Sequence, residues 1–188
     1  FSSLAEKMDS DYLLFLDGRT GNITRGFMDL FLGSAQRADI GAVGGRVYDD
    51  RRRLWYGIKV LGLKGTVGDA FEGLKAGYTG YFHKAILQQN CHAVSGKAMM
   101  LRRELFLKAG GFSEDVEDRM KDVDLCLKLE KLGYRNVYEP GIAVILQDHQ
   151  RGRKQGARPA AQFAKKWKSL LQMPDRFYRS EERRVGKE

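Results

Sequence analysis

Three aspartates stand where a carboxylate could do chemistry. Asp17 ends the apolar run "YLLFLD", residues 12–17, and is followed by Gly18 and Arg19. A strand buried on both faces that ends in an acid delivers that acid to the rim of a sheet. A second acid two residues on would complete a metal-binding pair, but that position holds Arg19. Asp122 and Asp124 open the run "KDVDLCLKLEKLG". The N-terminus of a helix favours ionised carboxylates, so capping alone would account for both. Their place between the "GGF" turn at residues 110–112 and a strongly apolar helix gives a second reading. A carboxylate at the sheet edge there could accept a proton from a bound hydroxyl.

The elements that must position these acids alternate in type. After the first strand, "TRGFMDLFLGSAQRAD" sets Phe27, Leu30, Phe31 and Ala35 at helical spacing, with Thr24 as the expected N-cap. "IGAVGGRVYDD" reads as a strand whose glycines imply close packing or exposed backbone; no helix-opening phosphate fingerprint follows its GxxGG. Residues 51–90 are glycine-rich and irregular, and a long aperiodic stretch is more often functional or mobile than core. Its Phe71, Tyr78, Tyr81 and Phe82 could stack on a sugar or base, or form a satellite core. "AVSGKAMMLRR" reads as one strand, and "RELFLKAGG" as a short helix stopped by Gly110 and Gly111. In "MKDVDLCLKLEKLG", Val123, Cys126, Leu127, Leu129 and Leu132 form an apolar stripe that ends at Gly133. "YRNVYEPGIAVIL" gives two short strands around Pro140, and "ARPAAQFAKKWKSLLQM" a basic amphipathic helix. Alternating strands and helices argue for an α/β sandwich.

The 188 residues, 43% hydrophobic, suffice for one domain with a real core. No apolar run approaches the ~20 residues needed to span a bilayer. "FSSLAEKMDSD" shows no signal-peptide pattern and no initiator Met, so the chain is expected to begin inside a longer protein. Cys91 and Cys126 lack CxxC spacing and are expected to be free thiols of a reducing, cytoplasmic compartment. His83, His92 and His149 show no zinc spacing. The last ten residues, 179–188, "RSEERRVGKE", match an in-frame translation of a common sequencing adapter and are set aside from the fold. They carry four basic and three acidic residues, so the net charge of +9 becomes +8 without them. That charge favours anionic partners, with basic clusters at residues 51–53 and 151–154. No helix-turn-helix, RNP or zinc pattern supports a nucleic-acid-binding domain, which stays a remote alternative. The terminal helix, with Lys165, Lys166 and Lys168 beside Trp167 and Leu170, either packs on the domain or rests on an anionic membrane.

Taken together, "LLFLDGR", "AVSGKAMMLRRELFLKAGGFSED" and "KDVDLCLKLEKLGYRNVYEP" resemble the second half of a family 2 glycosyltransferase with the GT-A fold. The resemblance covers most of residues 10–149, and its most specific part runs from Gly110 to Pro140. It implies an α/β, partial GT-A (nucleotide-diphospho-sugar transferase) fold, with a mixed central sheet flanked by helices, over residues 1–178. The family's N-terminal nucleotide-binding half would lie outside the chain, leaving a sheet edge exposed.

By the same resemblance, Asp17 matches the first acid of a DxD-type motif that contacts the nucleotide sugar and helps hold a divalent cation, Mg2+ or Mn2+. Asp122 matches the general base, and Asp124 the acid usually kept beside it. Gly110, Gly111 and Phe112 match the acceptor-side turn, and Ser95 and Gly96 the floor of the donor-sugar pocket. The implied activity is inverting transfer of a sugar from a nucleotide-sugar donor to a hydroxyl of a glycan or lipid-linked acceptor, with bacterial surface polysaccharide as the commonest outlet. Three departures stand out: Arg19 replaces the second acid, Lys121 replaces the usual Glu or Asn, and His149 is offset from the family's final His. In one version Arg19 takes over phosphate charge from the metal, because guanidinium suits bidentate phosphate contact. In the other, the site is degenerate and the protein binds a glycan or partner without turnover.

Overall fold

The computed structural model describes residues 2–147 and 160–178. In chain order the elements are α1 (Ser2–Lys7), β1 (Tyr12–Leu16), β2 (Thr20–Ile23), α2 (Phe27–Ala35), β3 (Ile40–Tyr48), β4 (Leu54–Tyr56), β5 (Ile58–Leu61) and β6 (Val67–Asp69). There follow β7 (Gln89–Cys91), β8 (Ala93–Val94), β9 (Ala98–Arg102), α3 (Arg103–Lys108), α4 (Lys121–Lys131), β10 (Arg135–Leu146), α5 (Ala161–Lys166) and α6 (Lys168–Leu171). The larger sheet runs β1-β9-β3-β10-β2, with β4 added to β3 and β7 to β10; β6-β5-β8 form a smaller antiparallel sheet. β3 and β10 are parallel, while β9 lies antiparallel between β1 and β3. The α/β architecture with a mixed central sheet is thus as expected.

Side chains alternate across the larger sheet as the two-residue strand repeat requires. Leu13, Ala42, Met99, Leu101 and Tyr138 enter one core with α3, α4 and the small sheet. Ile40, Val43, Val47, Ala98, Met100 and Val144 enter the other, which Phe31 and Ala35 of α2 cover. The buried side chain of Asn136 joins the layers. It accepts from the Ala42 N–H at 3.1 Å and donates to the carbonyls of His92 and Cys126 at 2.8 and 3.0 Å. Both cysteines are buried free thiols, and burial pushes Cys126 up to about 12.

Several local expectations change. Among the described residues β1 is hydrogen-bonded on one side only, to β9, so Leu13 is buried but Leu16 is 40% exposed rather than covered on both faces. Thr24 does not cap α2; Gly26 takes the N-cap position at φ 71°, and the Thr24 hydroxyl bonds the backbone of Ala143. "AVSGKAMMLRR" is two strands in two sheets, broken at residues 95–97. "YRNVYEPGIAVIL" is one strand, β10, whose register on β3 shifts between Tyr138 and Ala143. A bulge is where a strand tolerates Pro140. Residues 51–90 hold β4 to β7 and the start of the small sheet rather than a structureless loop. On α4, Val123, Cys126, Leu127 and Leu129 are buried, but Leu132 is 41% exposed beyond the helix end. The terminal helix breaks at Trp167 into α5 and α6 and packs on the domain, burying Phe163 and Trp167.

The glycines of β3 are close-packing residues, as one of the two readings held. A Cβ at Gly44 would overlap the Val94 side chain, whereas one at Gly33, inside α2, would meet nothing within 4 Å. Gly44→Ala is therefore expected to destabilise the fold by about 1–3 kcal/mol. Gly33→Ala should stabilise it by roughly 1 kcal/mol through helix propensity. Urea melts of the two variants check the opposite signs.

Candidate functional site

Asp17 stands at the end of β1, where its N–H donates to the Lys97 carbonyl at 3.0 Å. One carboxylate oxygen, Oδ1, accepts from the Arg19 N–H at 3.0 Å and from Arg19 Nε at 2.9 Å. Oδ2 accepts from Arg19 Nη2 at 3.0 Å and from Lys97 Nζ at 2.6 Å. The Arg19 bonds, reinforced by Lys97 against the cost of burial, hold the Asp17 carboxyl well below the usual carboxylate range. Arg19 itself is 42% exposed and lies 5.9 Å from the Trp55 ring centroid.

Lys97 follows Gly96, and Gly96 holds the second acid. The Gly96 N–H donates to Asp122 Oδ2 at 2.9 Å, while Oδ1 accepts from the Val123 N–H at 2.8 Å. A Cβ on residue 96 would lie 3.0 Å from the Asp122 Cβ, so the close approach favours glycine. Ser95 is buried, with its N–H on the Gly57 carbonyl at 3.0 Å. The turn at residues 95–97 thus brings Asp17 and Asp122 to the same rim.

Asp124 is placed differently. It is fully buried and accepts from Ser113 Oγ at 2.6 Å and Trp167 Nε1 at 2.9 Å. Lys166 and Lys128 approach it at 2.8 and 3.5 Å. Burial works against its charge, but Lys166, Ser113 and Trp167 more than offset this and lower its pKa. The turn at residues 110–112 gathers near Asp124. Gly110 and Gly111 adopt φ 74° and 62° to stop α3, and Lys128 Nζ donates to the Gly111 carbonyl at 2.5 Å. Phe112 is half-buried, edge-on to Phe15 and Phe106 with centroids 5.1 and 5.3 Å away.

Sequence reasoning missed a cationic and aromatic shelf beside Asp17. Trp55 and Tyr56 stack with centroids 5.1 Å apart. Lys59 and Lys97 each put an ammonium near the Tyr56 ring, at 4.9 and 5.1 Å. Lys59 is buried and paired with Asp69 at 2.9 Å. Burial opposes its charge, but Asp69, with Asp122 nearby, pulls its pKa up. The signal was partial: Lys59 is a charge inside the apolar run of β5, whereas Lys97 lies in the turn at residues 95–97. Of the loop aromatics, Phe71 packs against the core, while Tyr78 and Phe82 are 58% and 73% exposed. A polar cavity of about 220 Å³ beside Ser34, Gln88, Asn90 and Arg135 holds none of the expected site residues.

Among the described residues the donor set does not fit a divalent cation. Both oxygens of Asp17 are engaged by Arg19 and Lys97, and no three His, Cys, Asp or Glu side chains converge among the described residues. His149 and the basic cluster at residues 151–154 lie outside the described residues, as does the 179–188 tail.

Comparison with solved structures defines the class of fold. The crystal structure of GalNAc-T7 with UDP, GalNAc and Mn2+ superposes with a TM-score of 0.56 at 12% identity, covering 80% of this chain and 30% of that one. The fold is GT-A. In sequence the chain is 30% identical over 134 residues to the O-antigen biosynthesis protein RfbC of Myxococcus xanthus, covering 71% of the chain and 10% of that protein. It is 37% identical over 76 residues to the N-acetylglucosaminyl-diphospho-decaprenol L-rhamnosyltransferase of Mycobacterium tuberculosis, covering 40% of the chain and 24% of that enzyme. No protein-family model matches. The chain is a distant homologue of family 2-type glycosyltransferases, including proteins of polysaccharide biosynthesis, and spans between a tenth and a quarter of these two relatives.

The Asp17 geometry sets a pH dependence. Its pKa is depressed from the ordinary 3.8, so its stabilisation is complete above that value and is lost as pH falls toward the lower, folded-state pKa. Asp17→Asn is expected to be less stable than wild type near neutrality, with the gap holding down to about pH 4 and narrowing only below it. Denaturant melts of the pair across the acid range check this; a gap already closed at about pH 5 contradicts it.

Proposed function

We propose that residues 1–178 form the acceptor-side part of an inverting glycosyltransferase that moves a sugar from a nucleotide-sugar donor to a hydroxyl of a glycan or lipid-linked acceptor, in the cytoplasm and in the service of a surface polysaccharide. One observation carries this reading: the dipeptide Gly96–Lys97 holds Asp122 with one residue and Asp17 with the next.

Asp122 takes the proton from the acceptor hydroxyl. The freed oxygen attacks the anomeric carbon from the face opposite the nucleoside diphosphate, the bond to the diphosphate oxygen breaks, and the configuration inverts. Negative charge grows on the departing diphosphate, and preorganised donors beside it stabilise that charge. Arg19 and Lys97, held side by side by Asp17, supply those donors; Ser95 and Gly96 floor the donor-sugar pocket. Asp124 is a positioning residue, binding α4 to Ser113 beyond the Gly110–Phe112 turn and to Trp167.

The saturation of Asp17 by two cations favours one further reading, a degenerate site that binds a glycan or partner without turnover. Sugar transfer by the intact protein across a panel of nucleotide sugars separates the two. On the catalytic reading, Asp122→Asn lowers kcat by ~10²–10⁴-fold. Arg19→Ala lowers it by ~10²-fold, and EDTA leaves the wild-type rate unchanged. Absence of both transfer and donor hydrolysis across the panel would count against the catalytic reading and in favour of the binding one.

A further inference from the structure

Ten large hydrophobic side chains are exposed among the described residues, and four of them, Tyr78, Phe82, Ile86 and Leu87, fall within one loop between β6 and β7. The other six are scattered along the chain, as single exposed apolar residues usually are. Exposed apolar side chains gathered in one segment make that segment a candidate interaction surface.

The loop is built to present these side chains. Its inner side is anchored at Ala85, which is buried, takes a hydrogen bond on its carbonyl from the Tyr138 hydroxyl at 3.0 Å, and donates to the Thr79 carbonyl at 3.0 Å. Phe82 and His83 adopt φ 47° and 59°, a left-handed conformation that residues other than glycine rarely take. Phe82 is left 73% exposed and Leu87 52% exposed on either side of the buried anchor.

A basic hairpin is bonded to the same loop. Arg53 bridges Lys75, the Ala76 N–H donates to the Arg52 carbonyl at 2.8 Å, and the Tyr78 N–H donates to the Lys75 carbonyl at 3.0 Å. The exposed Arg51, Arg52, Arg53 and Lys75 are thus tied through the backbone to the part of the loop that carries Tyr78, with Lys84, half-buried, further along it; the acids on these segments are Asp49 and Asp50 of the hairpin and Glu72, which pairs with Lys64. Cations flanking protruding aromatic and aliphatic side chains complement an anionic lipid surface, where the apolar groups enter the acyl boundary and the cations meet headgroups.

We infer that this patch, residues 51–53 with residues 75–87, docks the protein on the face of a membrane rich in anionic lipid. Ile86 and Leu87 have no π-face for stacking, which favours a lipid surface over single-stranded nucleic acid. The patch is separate from the terminal helix, whose apolar side is buried in the domain, and it does not depend on the catalytic proposal.

Co-sedimentation of the whole chain with mixed phosphatidylglycerol–phosphatidylcholine vesicles tests the inference. Binding is expected at low salt, weakened by high salt and absent on phosphatidylcholine alone. Phe82→Ser with Leu87→Ser is expected to lower the partition coefficient at least ~tenfold, and Arg51→Gln with Arg52→Gln and Arg53→Gln by a similar factor. Leu4→Ser, which removes an exposed leucine elsewhere, is expected to leave it unchanged. Phe82→Trp reads the contact in an otherwise intact surface: its emission should shift to the blue on anionic vesicles only. Equal binding to both vesicle types, full binding by the double serine variant, or an unshifted Phe82→Trp spectrum overturns the inference. So does stronger capture of an oligothymidine probe than of vesicles, which would assign the patch to nucleic acid.

Discussion

The hydrogen bond from the Gly96 N–H to Asp122 is the contact on which the rest of the site depends. It lies where the chain leaves the small sheet at β8 and enters the large one at β9, so it fixes helix α4 against the junction of both sheets. One residue later, the backbone and ammonium of Lys97 both bind Asp17, which ties the end of β1 to the same junction. Three elements far apart in sequence meet through two adjacent residues. The 3.0 Å separation that a residue-96 Cβ would have from Asp122 leaves little room for any other side chain there.

The charges around this junction are matched locally. Asp17 is met by Arg19 and Lys97, Asp69 by Lys59, and Asp124 by Lys166 and Lys128. Lone buried charges would be costly, and removing one partner of such a pair strands the other. The Asp17 and Asp69 pairs are also neighbours, since the ammonium groups of Lys59 and Lys97 both lie close to the Tyr56 ring. On the proposed reading, that arrangement supplies fixed positive charge at the donor side without any reorganisation during the reaction.

What could be read from the sequence follows the range of the forces involved. Helix α4 was legible because its apolar stripe repeats within eleven residues. Asp17 and Asp122 stood out because each acid borders an apolar run, whereas Gly96 was singled out only by the family resemblance. The sheet change inside "AVSGKAMML" was not, since apolar residues precede and follow the break alike. Pro140 suggested two strands because proline removes a ladder donor, but β10 changes partners there, from β7 to β2, and continues. Lys97 and Lys59 were missed because their partners are reached only by strand pairing: Lys97 meets Asp17 80 residues away, and Lys59 meets Asp69 across β5 and β6.

Asp122 and Asp124 show how two acids of one short run come to make different contacts. Two residues apart on a helix, side chains do not share a face. Asp122 therefore looks toward the Gly96 turn, and Asp124 toward Ser113, Lys166 and Trp167. The C-terminal segment reaches further still, because Asp175 accepts from the Leu61 N–H at 2.9 Å and so fastens the segment to β5 as well. Helix α4 is thus held at Asp122 by the junction and at Asp124 by α5 and Trp167. On the proposed reading, residues 160–178 support the site at one remove, by holding the helix that carries Asp122 through its neighbour Asp124.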